Sequence, residues 1–184
     1  MISHNPLIVN TKSWNISKKK ICVIYYSWTE RTALVAESIA EVVKADLVRI
    51  KEIKIRKGVT GVLSGAFQAI FHRKSDVIHP SVDISNYDLI ILGAPVWCGN
   101  IPPAINGFLS KTKFSNKAIV LLITMALWGG KRVLKALDRK IRDREGNVIE
   151  FFIVKTGRKS RKELIDEGKK IGRRISSLIT GLSL

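Results

Sequence analysis

The sequence lacks most of what would assign it to a specialised class. Its two cysteines, Cys22 and Cys98, form no dense framework, which excludes a disulfide-stapled secreted domain. Its three histidines, His4, His72 and His79, follow no metal-ligand spacing. No apolar run approaches the roughly 18–20 residues that span a bilayer. Segment 1–17 has no basic start, and its apolar stretch Pro6-Leu7-Ile8-Val9 is too short for a signal-peptide core, so a cytoplasmic protein is expected. Acidic residues are scarce as well: 15 Asp and Glu against 32 Lys and Arg leave a formal charge of +17. That balance predicts attraction to acidic proteins, nucleic acid or anionic membrane surfaces and is silent about the fold. The bases are dispersed in small groups (54–57, 131–132, 139–142, 158–162 and 169–174), without RNA-recognition aromatics or Cys/His spacing beside them. Specific nucleic-acid recognition is therefore disfavoured.

What the chain does have is apolar residues, 46% of 184, enough to bury one α/β core. Short β-branched runs at 21–26, 47–53, 89–92, 118–124 and 148–154 alternate with helical patterns. Such alternation predicts a parallel sheet flanked by helices. The first, third and fourth runs are apolar throughout, as central strands covered on both faces should be. Val148-Ile149-Glu150-Phe151-Phe152 tolerates a charge and is placed near an edge. Val35, Ile39 and Val42 mark an amphipathic helix over 32–44. Val133, Leu134, Leu137 and Ile141 mark another over 131–142, and Leu164, Ile165, Ile171, Ile175 and Leu178 a third over 162–178. Pro102-Pro103 opens a further helix at 104–109, because proline's missing N–H costs nothing in a first turn.

Between the second and third runs, segment 58–71 carries Thr60, Ser64, Gln68 and, just beyond it, His72 as a polar stripe on an otherwise apolar helical pattern. It reads as a connection helix packed on the sheet. The competing reading is an interfacial helix that touches a membrane or a partner, since bases flank it on both sides.

Open parallel sheets bind ligands at the carboxyl ends of their strands. Three such ends are chemically distinctive. The first run stops in Ser27-Trp28-Thr29-Glu30-Arg31-Thr32, directly before a helix. First-turn N–H groups lack helical partners and the three hydroxyls can donate, so the turn is a candidate phosphate site. The third run leads into Ala94-Pro95-Val96-Trp97-Cys98-Gly99-Asn100, and the fourth into Thr124-Met125-Ala126-Leu127-Trp128-Gly129-Gly130. Two loops thus set tryptophan beside glycine, which suits a flat ligand. The plain alternatives are helix capping for the hydroxyls and crevice packing for the indoles. Cys98 has no Arg or Lys beside it in sequence and reads as a pocket-lining thiol rather than a redox group.

Tyr-Tyr-Ser-x-Thr-x-x-Thr at 25–32 and Tyr-Asp-Leu-Ile-Ile-Leu-Gly-x-Pro-Val-Trp-x-Gly at 87–99 together resemble the flavodoxin-like family, from about residue 20 to the C-terminus. The resemblance implies a three-layer α/β/α fold with a five-stranded parallel sheet in order 2-1-3-4-5, the 58–71 segment being an extra helical connection between strands 2 and 3. Residues 18–184 would form one domain that binds flavin mononucleotide (FMN), and 1–17 an N-terminal extension. The resemblance also implies the site. Ser27, Thr29 and Thr32, with the backbone of Trp28, Glu30 and Arg31, would hold the phosphate. Pro95, Val96, Trp97, Cys98, Gly99 and Asn100 would line the ring, with Trp97 on one face. Thr124, Met125, Trp128, Gly129 and Gly130 would close the other side, with Trp128 as the second aromatic.

Two features depart from that pattern. Glu30 stands where family members usually carry glycine, so a carboxylate neighbours the proposed phosphate and a side chain occupies a position suited to positive φ. The strongly basic charge reverses the sign usual for carrier flavodoxins and implies different partners, either acidic redox proteins or an anionic membrane surface. Electron transfer needs no nucleophile, general acid or metal ligand, which agrees with histidine-free loops. Three functions stay open: an FMN electron carrier, a flavin-dependent NAD(P)H:quinone or acceptor oxidoreductase, and a flavin-free interaction domain.

Overall fold

Apolar runs that are buried on both faces need helices above and below, and the chain supplies them alternately. A computed structural model describes residues 19–52, 77–78 and 83–180. Strands β1 (Ile21–Tyr25), β2 (Asp46–Arg49), β5 (Leu89–Pro95), β6 (Ala118–Met125) and β7 (Asn147–Lys155) form one parallel sheet in order β2-β1-β5-β6-β7. Counted within this sheet, that is the expected 2-1-3-4-5. Helices α1 (Arg31–Val43), α2 (Pro103–Ser110), α3 (Gly130–Arg142) and α4 (Arg161–Thr180) pack on its two faces.

Strand alternation sorts the core into two layers. Ile24, Ile90, Leu92, Leu121 and Ile123 point to the face covered by Phe108 and Leu109 of α2 and Val133, Leu137 and Ile141 of α3. Val23, Tyr25, Ile91, Val120 and Leu122 point to the face covered by Val35 and Ile39 of α1 and Leu164, Ile171 and Ile175 of α4. Helices α1 and α4 approach closely where Gly168 faces the Val35 carbonyl; a Cβ there would lie 2.6 Å from the oxygen. Ser160 and Glu163 start α4 with a capping box: Ser160 N donates to Glu163 Oε2 at 2.7 Å, and Glu163 N donates to Ser160 Oγ at 3.3 Å.

The expected central strands β1, β5 and β6 are buried throughout except at the last residue of β5 and of β6. The expected edge strand, β7, is an edge, and its ladder with β6 shifts register between Ile119 and Val120. One expectation is corrected. The run at 47–53 is not a single strand: β2 ends at Arg49, and Ile50 turns inward and is buried. Strand β3 (Lys51–Glu52) then pairs antiparallel with β4 (Val77–Ile78) outside the main sheet. An edge strand has a free side, so the chain can leave it after four residues. The 58–71 segment and the 1–17 extension lie outside the described residues. Among the described residues, no helix is long and apolar enough to cross a membrane.

Candidate functional site

The order in which strands are added reverses between the parallel neighbours β1 and β5. From β1 the chain passes through α1 to β2 on one side, and from β5 through α2 to β6 on the other. The carboxyl ends of these neighbours therefore leave a crevice between diverging loops. All seventeen residues expected at the site lie on this edge, in the loops after β1, β5 and β6 or at the termini beside them. Register carries the alignment across: Tyr25 pairs with Gly93, and Pro95 with Thr124.

The first loop is built to leave a helix N-terminus open. Ser27 is buried and its Oγ accepts from Ala33 N at 3.2 Å, capping one first-turn N–H. Among the described residues, nothing accepts from the backbone N–H of Thr29, Glu30, Arg31 or Thr32. Thr29 is exposed at the turn. Thr32 is buried, with its Oγ1 2.7 Å from Thr124 Oγ1, so the start of α1 is tied to the end of β6. The Ser27 hydroxyl is thus a structural tie that keeps its proton to donate, while in the Thr32–Thr124 pair either hydroxyl is the donor.

Glu30 caps α1 with φ +59°, a left-handed conformation that costs a non-glycine residue roughly 1–2 kcal/mol. Its carboxylate is turned to β2, where Arg49 grips it twice: Nη2 to Oε1 at 2.5 Å and Nη1 to Oε2 at 3.1 Å. Arg49 Nη2 also donates to Ser27 O at 3.1 Å. Donating to Glu30 holds the Arg49 guanidinium more firmly charged than usual. Arg31 points away in the other direction, its Nη1 donating to the carbonyls of Thr156 (2.5 Å) and Lys159 (2.9 Å). Thr156 N in turn donates to Met125 O at 2.7 Å. Arg31 therefore ties the β7–α4 loop to the phosphate-loop candidate instead of facing an anion.

The second loop is a two-residue turn. Trp97 and Asn100 exchange both backbone hydrogen bonds (3.0 and 2.8 Å), with Cys98 at φ +45° and Gly99 at φ +74° between them. Positive φ at both central residues is the type I′ signature. Trp97 is half-buried and meets Tyr26 and Trp28 edge-on, with both centroid separations 5.8 Å. Val96 N donates to Thr124 O at 2.7 Å and joins this loop to β6. Cys98 is exposed, whereas Cys22 is fully buried, and burial together with the neighbouring Asp46 pushes its thiol up to about 12.

The third loop leans on the second. Trp128 is 62% exposed yet lies against Gly99, where a Cβ would fall 2.4 Å from its Cζ3. Gly129, at φ +94°, brings the chain back beside Gly99 and begins α3. Leu127 at the tip is 77% exposed.

The flavodoxin family model matches residues 70–164, just over half of the chain. The chain belongs to the flavodoxin family. Solved structures of flavodoxin-type proteins share the fold. A protein assigned as a flavoprotein from Bacteroides eggerthii DSM 20697 has TM-score 0.67 at 19% identity, covering 90% of this chain and 100% of that one. A flavoprotein in complex with FMN from Lactobacillus acidophilus NCFM has TM-score 0.60 at 24% identity, covering 74% and 93%. Oxidised flavodoxin 1 from Bacillus cereus has TM-score 0.56 at 17% identity, covering 86% and 97%. No curated protein matches in sequence.

One residue that bears on the site escaped the sequence reading. Arg49 lies at the end of β2, in register with Tyr25. The expected strand order alone sets the end of strand 2 beside the loop after strand 1, and Arg49 is the cation there opposite the anomalous Glu30.

Proposed function

We propose that this flavodoxin binds FMN at the carboxyl edge of its sheet and passes electrons between proteins. The observation that carries the reading is the convergence, on the β1/β5 reversal, of an open helix N-terminus and two loops bearing Trp97 and Trp128. The residues fit the ligand. The N–H groups at 29–32, without partners among the described residues, suit a phosphate. Glu30 does not oppose it outright, because Arg49 neutralises and turns its carboxylate. Gly99 and Gly129 keep the two loops close enough for a flat ring to meet backbone edges. Ser27, Thr29 and Thr32 would hold the phosphate, and Trp97 and Trp128 the ring. Bound FMN would supply the one- and two-electron chemistry, with the protein setting its potential by stacking and backbone contacts.

The partner we infer is an acidic redox protein. Lys131 and Arg132 are exposed in the first turn of α3, where the helix dipole disfavours cations by roughly 0.3–1 kcal/mol each. Lys135 and Arg139 continue the stripe at i,i+4 spacing, another arrangement that weakens a helix on its own. Charges so placed against local stability favour an anionic partner. The stripe starts beside Leu127 and Trp128, the exposed apolar tip next to the proposed ring.

Titration of the purified protein with FMN, followed by quenching of flavin fluorescence, tests the reading. Stoichiometric uptake supports it; no uptake would leave the flavin-free interaction domain. Steady NAD(P)H oxidation with a quinone acceptor would instead assign a reductase.

A further inference from the structure

We propose that Arg49 is a positioning residue of the anion loop, holding the Glu30 carboxylate away from the open N-terminus of α1 and so setting affinity for the phosphate. The inference rests on the FMN reading and concerns this chain's own departure from it. A carboxylate five residues beyond β1, at the N-cap of a helix whose four leading N–H groups have no partner among the described residues, would naturally swing over those groups and compete with any anion. It does not. The carboxylate is turned to β2 instead, and the Arg49 fork fixes both of its oxygens.

The third contact of the same guanidinium, to Ser27 O, makes the arrangement a clamp on the loop. One cation bridges the carbonyl at the loop's start and the carboxylate at its end. The Arg49 and Glu30 side chains are 37% and 52% exposed. An ion pair so exposed contributes little to global stability. Its geometry, by contrast, decides where a negative charge sits beside the anion site. The clamp should therefore act on phosphate discrimination and scarcely on folding.

The test compares FMN with riboflavin, which carries the same ring without a phosphate, on the full-length protein. Dissociation constants come from flavin fluorescence, and the melting temperature of the flavin-free protein is measured in parallel. Arg49→Met should weaken FMN at least about tenfold, equivalent to about 1.4 kcal/mol, with riboflavin affinity and melting temperature nearly unchanged. Glu30→Gly removes the competing carboxylate and the strained residue together, so the Glu30→Gly/Arg49→Met double variant should recover FMN affinity. Arg49→Lys keeps the charge without the fork and should fall between wild type and Arg49→Met.

Equal losses for FMN and riboflavin in Arg49→Met would overturn the clamp, as would no loss or no rescue in the double variant. Should Arg49→Met fail to fold, Glu30→Gln decides: it must bind FMN at least as tightly as wild type, and weaker binding contradicts the proposal. Wild-type protein that takes up neither flavin refutes the FMN reading instead. Inorganic phosphate then tests the clamp: it should raise the melting temperature of wild type more than that of Arg49→Met, and equal shifts would contradict it.

Discussion

The indole of Trp128 rests on the backbone of Gly99, so closely that the smallest side chain at residue 99 would strike the ring. The two loops that would embrace a flavin are thus mutually supported, and the contact depends on a residue without a Cβ at φ +74°. Gly99→Ala should displace the exposed Trp128 indole and destabilise the fold by about 1–2 kcal/mol, the cost of a left-handed conformation for a residue with a Cβ. Urea unfolding gives the stability, and tryptophan fluorescence reports the movement of the indole. A variant with native stability and an unmoved indole would show that the loops do not lean on each other.

Thr32 and Thr124 connect the first loop to the end of β6 through buried hydroxyls. Thr32→Val keeps the shape and strands the Thr124 hydroxyl. The expected loss is about 1–3 kcal/mol, the cost of a buried polar group left without its partner. Thr32→Ser should retain most of the stability, and denaturant midpoints of the two variants separate the hydroxyl from the methyl.

How much of this was visible beforehand follows from the range of each interaction. The central strands were legible because Ile21–Tyr25, Leu89–Pro95 and Ala118–Met125 need only composition and local periodicity to declare themselves. The three loops were legible because parallel topology puts strand ends on one edge. The partners of the charged loop residues were not. Glu30 meets Arg49, and Arg31 meets Thr156 and Lys159, across distances in sequence that no local pattern encodes. Arg31 follows Glu30 directly in sequence, yet the fold sends the two side chains to opposite sides of the loop. The end of β2 was misjudged for a similar reason: β-branched content continues to Ile53, while the sheet edge releases the chain at Ile50.

Alkaline pH should destabilise the protein in a defined window. Burial, with hydrogen bonding to Glu37, raises the Tyr25 phenol from its ordinary 10.0 to about 12. Burial raises Cys22 from 9.0 to about 12. Both groups hold their protons more tightly folded than unfolded. Their contribution is complete below pH 9 and declines as pH rises towards about 12, because the unfolded chain gives up protons first. Urea midpoints between pH 8 and 11 should fall, and Tyr25→Phe should flatten the part of the decline above pH 10. A midpoint that rises over this range would reverse the assignment.

The basic stripe on α3 predicts how electrons leave. With FMN bound and reduced, anionic ferricyanide should reoxidise the protein faster as salt is lowered, and cationic hexaamminecobalt(III) slower. Lys131→Glu/Arg132→Glu should shrink or invert both dependences. Salt responses of the same sign for both oxidants would remove the argument for an acidic partner.

The central claim is that the edge formed by Ser27–Thr32, Pro95–Asn100 and Thr124–Gly130 holds FMN, and one titration examines it most directly. Added to the purified, folded protein, FMN should lose its fluorescence up to one equivalent and bind more tightly than riboflavin. A folded protein that leaves FMN fluorescence unchanged across the titration would contradict the account.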